Sequence, residues 1–186
     1  NPQTGLVYIP AHIMSAMYQD VDGAPPRSKF KSIYQLDVNT GMMPEDPEGL
    51  RKIADTWTGK LIAWDPVKQE ARWEVPYTTI FNGGTLSTAG NLVFEGTANG
   101  RVVAYAADTG KKVWEVVTVD QSKPYTITGA PRIVKGKVLI GNGGAELGVR
   151  GYLSAYDAKT GKMLWRFYTV PGEKETDDAA SDEAMK

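Results

Sequence analysis

The chain has 186 residues, of which 41% are hydrophobic and 23% are charged, so it is long enough to form a globular domain. Its 21 basic and 22 acidic side chains almost cancel, which argues against a nucleic-acid surface or a polybasic membrane patch. Because cysteine is absent, disulfides, thiolate metal sites and cysteine nucleophiles are excluded. No apolar run approaches the roughly 20 residues of a membrane span. No signal peptide is recognisable, so we expect a mature, cytosolic or partial chain.

The first predicted strand covers residues 6–9, and the next begins only at Gly59. Residues 11–58 would then form a long insertion without clear periodicity, and such loops are often functional or poorly ordered. Within it, Asp20 and Asp22 resemble the start of a calcium loop, but Lys31 stands where an EF-hand needs its bidentate Glu, so we reject that site. His12 is the only histidine, and we expect it to be exposed or structural.

One pattern occurs three times in the chain. A glycine is followed four residues later by an alanine, then an aromatic residue, and fourteen residues later by a tryptophan. The copies run from Gly59 to Trp73, from Gly100 to Trp114 and from Gly151 to Trp165. A strand-rich repeat with a period of roughly 40–50 residues is typical of the blades of a β-propeller.

Each copy predicts a β-hairpin whose second strand ends in the tryptophan. Gly110 and Gly161 can supply the positive φ of the turn. Asp65 and Asp157 can accept turn N–H groups, and Asp108 is the candidate for this task in the second copy.

The three tryptophans are expected to pack between blades, each with a backbone carbonyl as acceptor for its indole N–H. Small residues at the contact would let the rings fit, and the candidates are Ala63, Ala104 and Ala155.

Two further strands are predicted before each of the later hairpins, at residues 78–81 and 92–95 and at residues 126–134 and 138–141. The expected fold is all-β, with propeller blades of four antiparallel strands and about three blades in an incomplete ring. The expected blades are residues 1–76, 77–117 and 118–169, and the acidic tail 170–186 is expected to be a frayed end rather than a helix start. Because ring closure typically takes four to eight blades, we expect self-association or other propeller segments as partners.

Residues 155–165 resemble the tryptophan-docking motif of quinoprotein dehydrogenases, which are propellers that bind pyrroloquinoline quinone (PQQ). Residues 81–94, 126–132 and 141–152 are similar to PQQ-dependent alcohol dehydrogenases of the methanol and ethanol type. The resemblance covers nearly the whole chain and is weakest in the insertion. It implies hydride transfer from a primary alcohol to PQQ, Ca²⁺ as a second cofactor, a separate electron acceptor and a periplasmic location.

The resemblance also implies roles for individual residues. In this family a Gly-Gly-Ala-Glu segment runs along the edge of PQQ, and its Glu is a ligand of the Ca²⁺ that acts as a Lewis acid on the quinone carbonyl. Glycines allow backbone amides to approach such a flat, polyanionic cofactor. The positions that match are Gly143, Gly144 and Ala145 for PQQ, Glu146 for Ca²⁺, and Thr128 and Asn82 as further PQQ contacts.

Two departures from the family pattern stand out. Residues up to about 115 resemble late blades of the family, and residues from about 118 resemble early blades. Compared with the family, the order of the blades is therefore swapped just after Trp114. Recombination between repeats, a designed permutation or assembly from two parts of one enzyme would each explain this. Segments that resemble those of the catalytic Asp, the other Ca²⁺ ligands, the cysteine pair and the Trp beneath the cofactor are not found. We therefore assign no catalytic residue and expect the chain alone to be inactive.

A non-catalytic blade scaffold that self-associates is the alternative function. A propeller module that binds partner proteins is a weaker one, because it would not explain Gly-Gly-Ala-Glu together with Thr128.

Overall fold

The computed structural model describes residues 1–15, 17–20, 38–42 and 47–170. In chain order the elements are β1 (Val7–Ile13), β2 (Met17–Asp20), β3 (Val38–Met42), α1 (Pro47–Ala54), β4 (Thr58–Asp65), β5 (Glu70–Pro76), β6 (Thr85–Thr88), β7 (Leu92–Thr97), β8 (Arg101–Ala106), β9 (Lys112–Val117), β10 (Arg132–Val134), β11 (Lys137–Gly141), β12 (Tyr152–Asp157) and β13 (Met163–Tyr168). A short 3-10 helix at Ala145–Leu147 lies between β11 and β12.

Three antiparallel sheets follow the three sequence repeats. The first sheet has the strand order β1-β4-β5, the second β6-β7-β8-β9 and the third β10-β11-β12-β13. The all-β prediction with four-stranded blades is thus confirmed in the second and third sheets, and the first sheet has three strands. Within the described residues these sheets do not close a ring.

The chain divides into two compact units, and residues 13–58 form the smaller one. It contains the β2–β3 hairpin and helix α1, whose Glu48 and Lys52 form an exposed ion pair. The indole Nε1 of Trp57 donates to the carbonyl of Ser15 at 3.2 Å. The rejected calcium loop at residues 20–31 and the predicted tail fall largely or wholly outside the described residues.

The three predicted hairpins share one backbone irregularity. The alanine of each repeat lies opposite its tryptophan across the hairpin, as Ala104 does opposite Trp114. Directly after that alanine the register shifts by a bulge in all three sheets. The sequence repeat is therefore also a structural repeat at the level of individual residues.

The hairpin turns use the predicted glycines. Gly110 and Gly161 both have φ of 72°, and the N–H of each donates to the carbonyl four residues earlier. The Oδ1 atoms of Asp65 and Asp157 accept two turn N–H groups each, as predicted. The prediction for Asp108 is wrong: its own N–H donates to Oδ1 of Asn91 at 3.1 Å, so Asn91 stabilises the second turn.

The core lies between neighbouring sheets, because the central strands of the second sheet bury residues on both faces. Val93 packs toward the first sheet, and the next residue, Phe94, packs toward the third. Trp73 and Trp114 extend from one sheet to the next, and their indole N–H groups donate to the carbonyls of Ala107 and Ala158, both at 3.0 Å. The expected backbone acceptors are thus confirmed.

The small residues that meet the indole rings across the sheets are the turn glycines. A Cβ at Gly110 would lie 2.6 Å from Cε3 of Trp73, and one at Gly161 would lie 2.7 Å from Cε3 of Trp114. The predicted alanines 63, 104 and 155 are fully buried and pair with the tryptophans within each sheet. The sequence predicted these glycines only as turn residues. It did not reveal that the indole rings of the neighbouring sheet pack directly on them.

Two strand predictions are wrong in position. Residues 78–81 form no strand, because Oδ1 of Asn82 accepts the hydroxyl of Thr79 and the N–H of Ala98 and so folds this segment into a loop. The opening strand of the second sheet is β6 instead. Of residues 126–134 only β10 is a strand, and Thr126 makes an isolated bridge with Gly143.

Among the described residues, no helix has the length and apolar character needed to cross a bilayer.

Candidate functional site

The candidate site is built by two segments of the third sheet. One is the segment of residues 126–131 before β10, and the other is the loop between β11 and β12. They are joined where the N–H of Gly143 donates to the carbonyl of Thr126 at 2.7 Å. A Cβ on Gly143 would lie 3.0 Å from Cγ2 of Thr126 and 3.9 Å from the hydroxyl of Thr128, so a glycine here lets the two segments approach closely.

Asn142 closes the loop between β11 and β12. Its Oδ1 accepts the N–H of Tyr152 at 2.7 Å, and its Nδ2 donates to the carbonyls of Gly143 and Arg150 at 3.2 and 3.4 Å. Both ends of the loop are thereby held by one side chain. The sequence analysis did not assign this role, although an Asn at the end of a strand is a residue type that commonly bonds nearby backbone.

Gly144 starts the short 3-10 helix with a backbone that requires glycine. Its φ is 97°, and a Cβ there would clash with the carbonyl oxygen of Pro124. Gly148 ends the helix, also with positive φ, and its N–H donates to the carbonyl of Ala145 at 3.0 Å. Ala145 and Glu146 are consequently presented on an exposed single turn.

A cavity of about 320 Å³ lies between the two segments. Its lining includes two of the predicted cofactor residues, Thr128 and Gly143, together with Gly129 and Asn142. Gly129 is exposed, and a Cβ added to it would meet no atom within 4 Å, so a side chain there would project into open space at the cavity. The small residues keep this surface flat and open.

The loop of the second sheet that carries Asn82 packs against the same segment. Cβ atoms on Gly83 would lie 2.8 Å from the carbonyl oxygen of Gly129, and on Gly84 3.0 Å from Cβ of Ala130. Residues 81–94 and 126–132, both singled out for their family resemblance, are therefore neighbours in space. Arg132 adds a cation, because its guanidinium donates to the carbonyl of Ala130 at 3.3 Å. The sequence analysis did not single out Arg132.

Asn82 itself lines a different cavity, of about 490 Å³, between the first two sheets. Its Oδ1 is occupied by Thr79 and Ala98, whereas its Nδ2 has no hydrogen-bond acceptor among the described residues. The structure thus brings together Thr128 and Gly143, places Gly144 and Ala145 next to them along the chain, and leaves Asn82 on a separate wall.

Glu146 is exposed and does not line the 320 Å³ cavity. Within the part of the chain that the structure describes, no group of three or more His, Cys, Asp or Glu side chains could hold a metal ion. Ca²⁺ takes six to eight oxygen ligands. The described residues alone therefore do not fit a complete Ca²⁺ site, and Glu146 would be one ligand of several.

The chain is similar to known proteins over most of its length. A PQQ-repeat family model, described as outer membrane protein assembly factor BamB, matches residues 34–184. Quinohemoprotein alcohol dehydrogenase ADH-IIG of Pseudomonas putida is 74% identical over 115 residues, which are 62% of this chain and 16% of that protein. This chain belongs to the quinoprotein alcohol dehydrogenase family of β-propellers.

Two further relatives extend the match. The dehydrogenase subunit of the alcohol dehydrogenase (quinone) of Acetobacter aceti is 42% identical over 177 residues, covering 84% of this chain and 24% of that subunit. The solved structure of quinohemoprotein alcohol dehydrogenase ADHIIG from Pseudomonas putida HK5 superposes with a TM-score of 0.67 at 50% identity, covering 95% of this chain and 27% of that one. The chain thus spans about a quarter or less of the length of these relatives.

Proposed function

We propose that this quinoprotein chain contributes part of the cofactor-binding surface of a PQQ-dependent alcohol dehydrogenase that oxidises primary alcohols. The observation that carries the proposal is the open cavity between Thr128 and Gly143, beside which a single turn presents Ala145 and Glu146. When bound, PQQ supplies the acceptor for the two electrons and the hydrogen removed from the alcohol.

The residues present fit a flat, anionic cofactor. Gly129 and Gly143 leave room for a planar ring system to approach the backbone. The hydroxyl of Thr128 is exposed and has no partner among the described residues, so it can donate to a carboxylate or carbonyl oxygen. The guanidinium of Arg132 supplies a nearby positive charge. In this proposal Gly144 and Ala145 border the cofactor, whereas Asn82 lines the other cavity and is not assigned a contact with it.

Calcium and the remaining partners belong to the same proposal. Glu146 would supply one carboxylate to Ca²⁺, whose other oxygen ligands would come from outside the described residues. Electrons would pass to a separate acceptor, and the family resemblance favours a periplasmic location. We assign no general base for the alcohol proton to any residue of this chain, since the sequence holds no segment that resembles the one with the catalytic Asp.

A binding titration tests the proposal without requiring turnover. PQQ is added to the full chain with and without Ca²⁺, and binding is followed by calorimetry. Thr128→Val removes one hydroxyl at nearly constant volume and should weaken PQQ binding roughly tenfold to a hundredfold, since one hydrogen bond to a charged group is worth about 1.5–3 kcal/mol.

The matched control is Thr109→Val, an exposed threonine in the second hairpin turn. It should bind PQQ like the unaltered chain. Equal affinity of the Thr128→Val variant and the control, or no binding of PQQ by the unaltered chain at any Ca²⁺ concentration, would overturn the proposed site.

A further inference from the structure

Glu95 is a buried carboxyl group that is connected to the candidate cofactor cavity through the next residue of its strand. Its side chain points to the first sheet, where Oε1 accepts the hydroxyl of Tyr77 at 2.5 Å. Because successive residues of a strand face opposite sides, Gly96 faces the third sheet. A Cβ on Gly96 would lie 2.2 Å from Cγ2 of Ile127 and 3.0 Å from Cδ1 of Ile140. Two consecutive residues of β7 therefore pack tightly against both neighbouring sheets.

Gly96 packs against both segments that form the 320 Å³ cavity. Ile127 is 1% exposed and directly precedes Thr128, and Ile140 is itself part of the cavity lining. The carbonyl of Gly96 also accepts the N–H of Gly83 at 2.7 Å, and the loop of Gly83 packs against the same segment as Ile127. Since a close-packed interior transmits displacements, a shift of the strand at Gly96 would move the walls of the cavity.

The packing around Glu95 suits its neutral form and opposes its ionised form. The side chain is fully buried, and Oε2 has no hydrogen-bond partner among the described residues. The residues opposite it on the two adjacent strands are Thr85 and Val103, which bring no charge. Burial raises the pKa of Glu95 to about 7, and the hydrogen bond from Tyr77 opposes this only in part.

The ionisable groups around Glu95 do not offset a negative charge on it. They are Tyr77 and His12 of the first sheet and Tyr105, Arg101, Lys112 and Glu115 of the second. Burial raises the pKa of both tyrosines, that of Tyr105 to about 12, so they stay neutral. Arg101 and Lys112 are both paired with Glu115, at 2.7 and 2.5 Å. An ionised Glu95 would therefore need water.

The 490 Å³ cavity between the first two sheets is the space from which water can reach Glu95. Three neighbours of Glu95 line that cavity, namely Tyr77, Thr97 and Val103. Because the carboxyl group has no exposure, hydration requires that Tyr77 or the strand at Gly96 moves. Tyr77 leads into the loop of residues 78–84, so both movements reach the walls of the cofactor cavity.

We infer that the proton of Glu95 controls the shape of the 320 Å³ cavity, so that PQQ binds well to the protonated chain and poorly to the ionised one. In this inference, which rests on the proposed function, Glu95 is a positioning residue that does not touch the cofactor.

Calorimetric titration of the full chain with PQQ and Ca²⁺ between about pH 6 and about pH 8 tests the effect on binding. The affinity of the unaltered chain should be roughly tenfold lower at the upper pH, because binding above the pKa requires uptake of one proton. Glu95→Gln has no proton to lose there and should lack this fall. The control is Glu74→Gln, an exposed glutamate paired with Lys60, which should behave like the unaltered chain. Melting temperatures verify that each variant is folded.

Amide hydrogen exchange of the cofactor-free chain, followed by NMR, tests the effect on the cavity itself. The N–H of Gly83, which donates to Gly96, and the N–H of Gly143 both report on the cavity walls. Their protection factors should fall severalfold over the same pH range in the unaltered chain and stay constant in Glu95→Gln. The N–H of Gly161 in the third hairpin turn is the control amide and should keep its protection in both chains.

Tyr77→Phe provides an independent check of the same group. Since the hydroxyl of Tyr77 lowers the pKa of Glu95, its loss should move the fall in protection to higher pH. The inference is overturned if Gly83 has the same protection profile in Glu95→Gln and in the unaltered chain, or if PQQ affinity depends on pH equally in both. Failure of PQQ to bind to any of these chains would instead contradict the proposed function, and exchange at Gly83 would still decide whether Glu95 controls the cavity.

Discussion

Glu95 provides the sharpest test of the packing between the first two sheets. It lies on β7 and is fully buried, yet it is a carboxylate. Its Oε1 accepts the hydroxyl of Tyr77 at 2.5 Å, and its Oε2 has no partner among the described residues. Burial is the main cause that raises the pKa of Glu95 from 4.5 to about 7, and the hydrogen bond from Tyr77 opposes it only in part.

The consequence is a stability that depends on pH. Because the folded chain holds the Glu95 proton up to about pH 7 and the unfolded chain releases it near 4.5, this contribution is fully present below pH 4.5 and is lost as the pH rises toward 7. One pKa unit corresponds to about 1.4 kcal/mol, so the free energy of unfolding should fall by roughly 3 kcal/mol across this window.

The variant Glu95→Gln should remove this slope, because the amide keeps an acceptor for Tyr77 and carries no charge. Its buried NH₂ group gains no acceptor, which costs about 1–2 kcal/mol at every pH. We therefore expect Glu95→Gln to be less stable than the unaltered chain at pH 4.5 and more stable by about 1–2 kcal/mol at pH 8.

Urea denaturation followed by tryptophan fluorescence at several pH values measures the effect. Glu74→Gln is the control, since Glu74 is an exposed glutamate paired with Lys60 at 2.7 Å and should leave the slope unchanged. The reasoning is refuted if the free energy of unfolding changes with pH in the same way for Glu95→Gln and for the unaltered chain. In that case the buried carboxyl of Glu95 would not be the group that titrates.

Three further predictions concern the turns, the loop and activity. Gly161→Ala should cost about 3 kcal/mol in urea denaturation, whereas Gly136→Ala, with φ of 74° and no atom near its added Cβ, should cost only about 1 kcal/mol; equal costs would mean that the Trp114 contact is unimportant. Asn142→Ala should lower PQQ affinity more than Asn91→Ala, which removes an amide that accepts a backbone N–H in the second sheet, as measured by calorimetry, because only Asn142→Ala releases both ends of the loop between β11 and β12. The chain alone with PQQ, Ca²⁺ and an artificial electron acceptor should oxidise no alcohol, and clear dye reduction would contradict the absence of a general base.

The sequence predicted the hairpins well, because each is specified locally by a glycine, a turn and a cross-strand Ala–Trp pair. It predicted residues 78–81 as a strand from their β-branched side chains, but Asn82 competes for the hydrogen bonds of this segment. That competition depends on Ala98, which is distant in the sequence. Local propensity could not reveal it.

For the candidate site, the family resemblance pointed to Thr128, Gly143 and Asn82. The structure places Thr128 and Gly143 in the lining of one cavity, next to the bridge between Thr126 and Gly143. Asn142 and Arg132 were missed because their roles arise from contacts to backbone atoms that only the folded loop brings near. Asn82 lines another cavity, and its side-chain oxygen is engaged in its own loop.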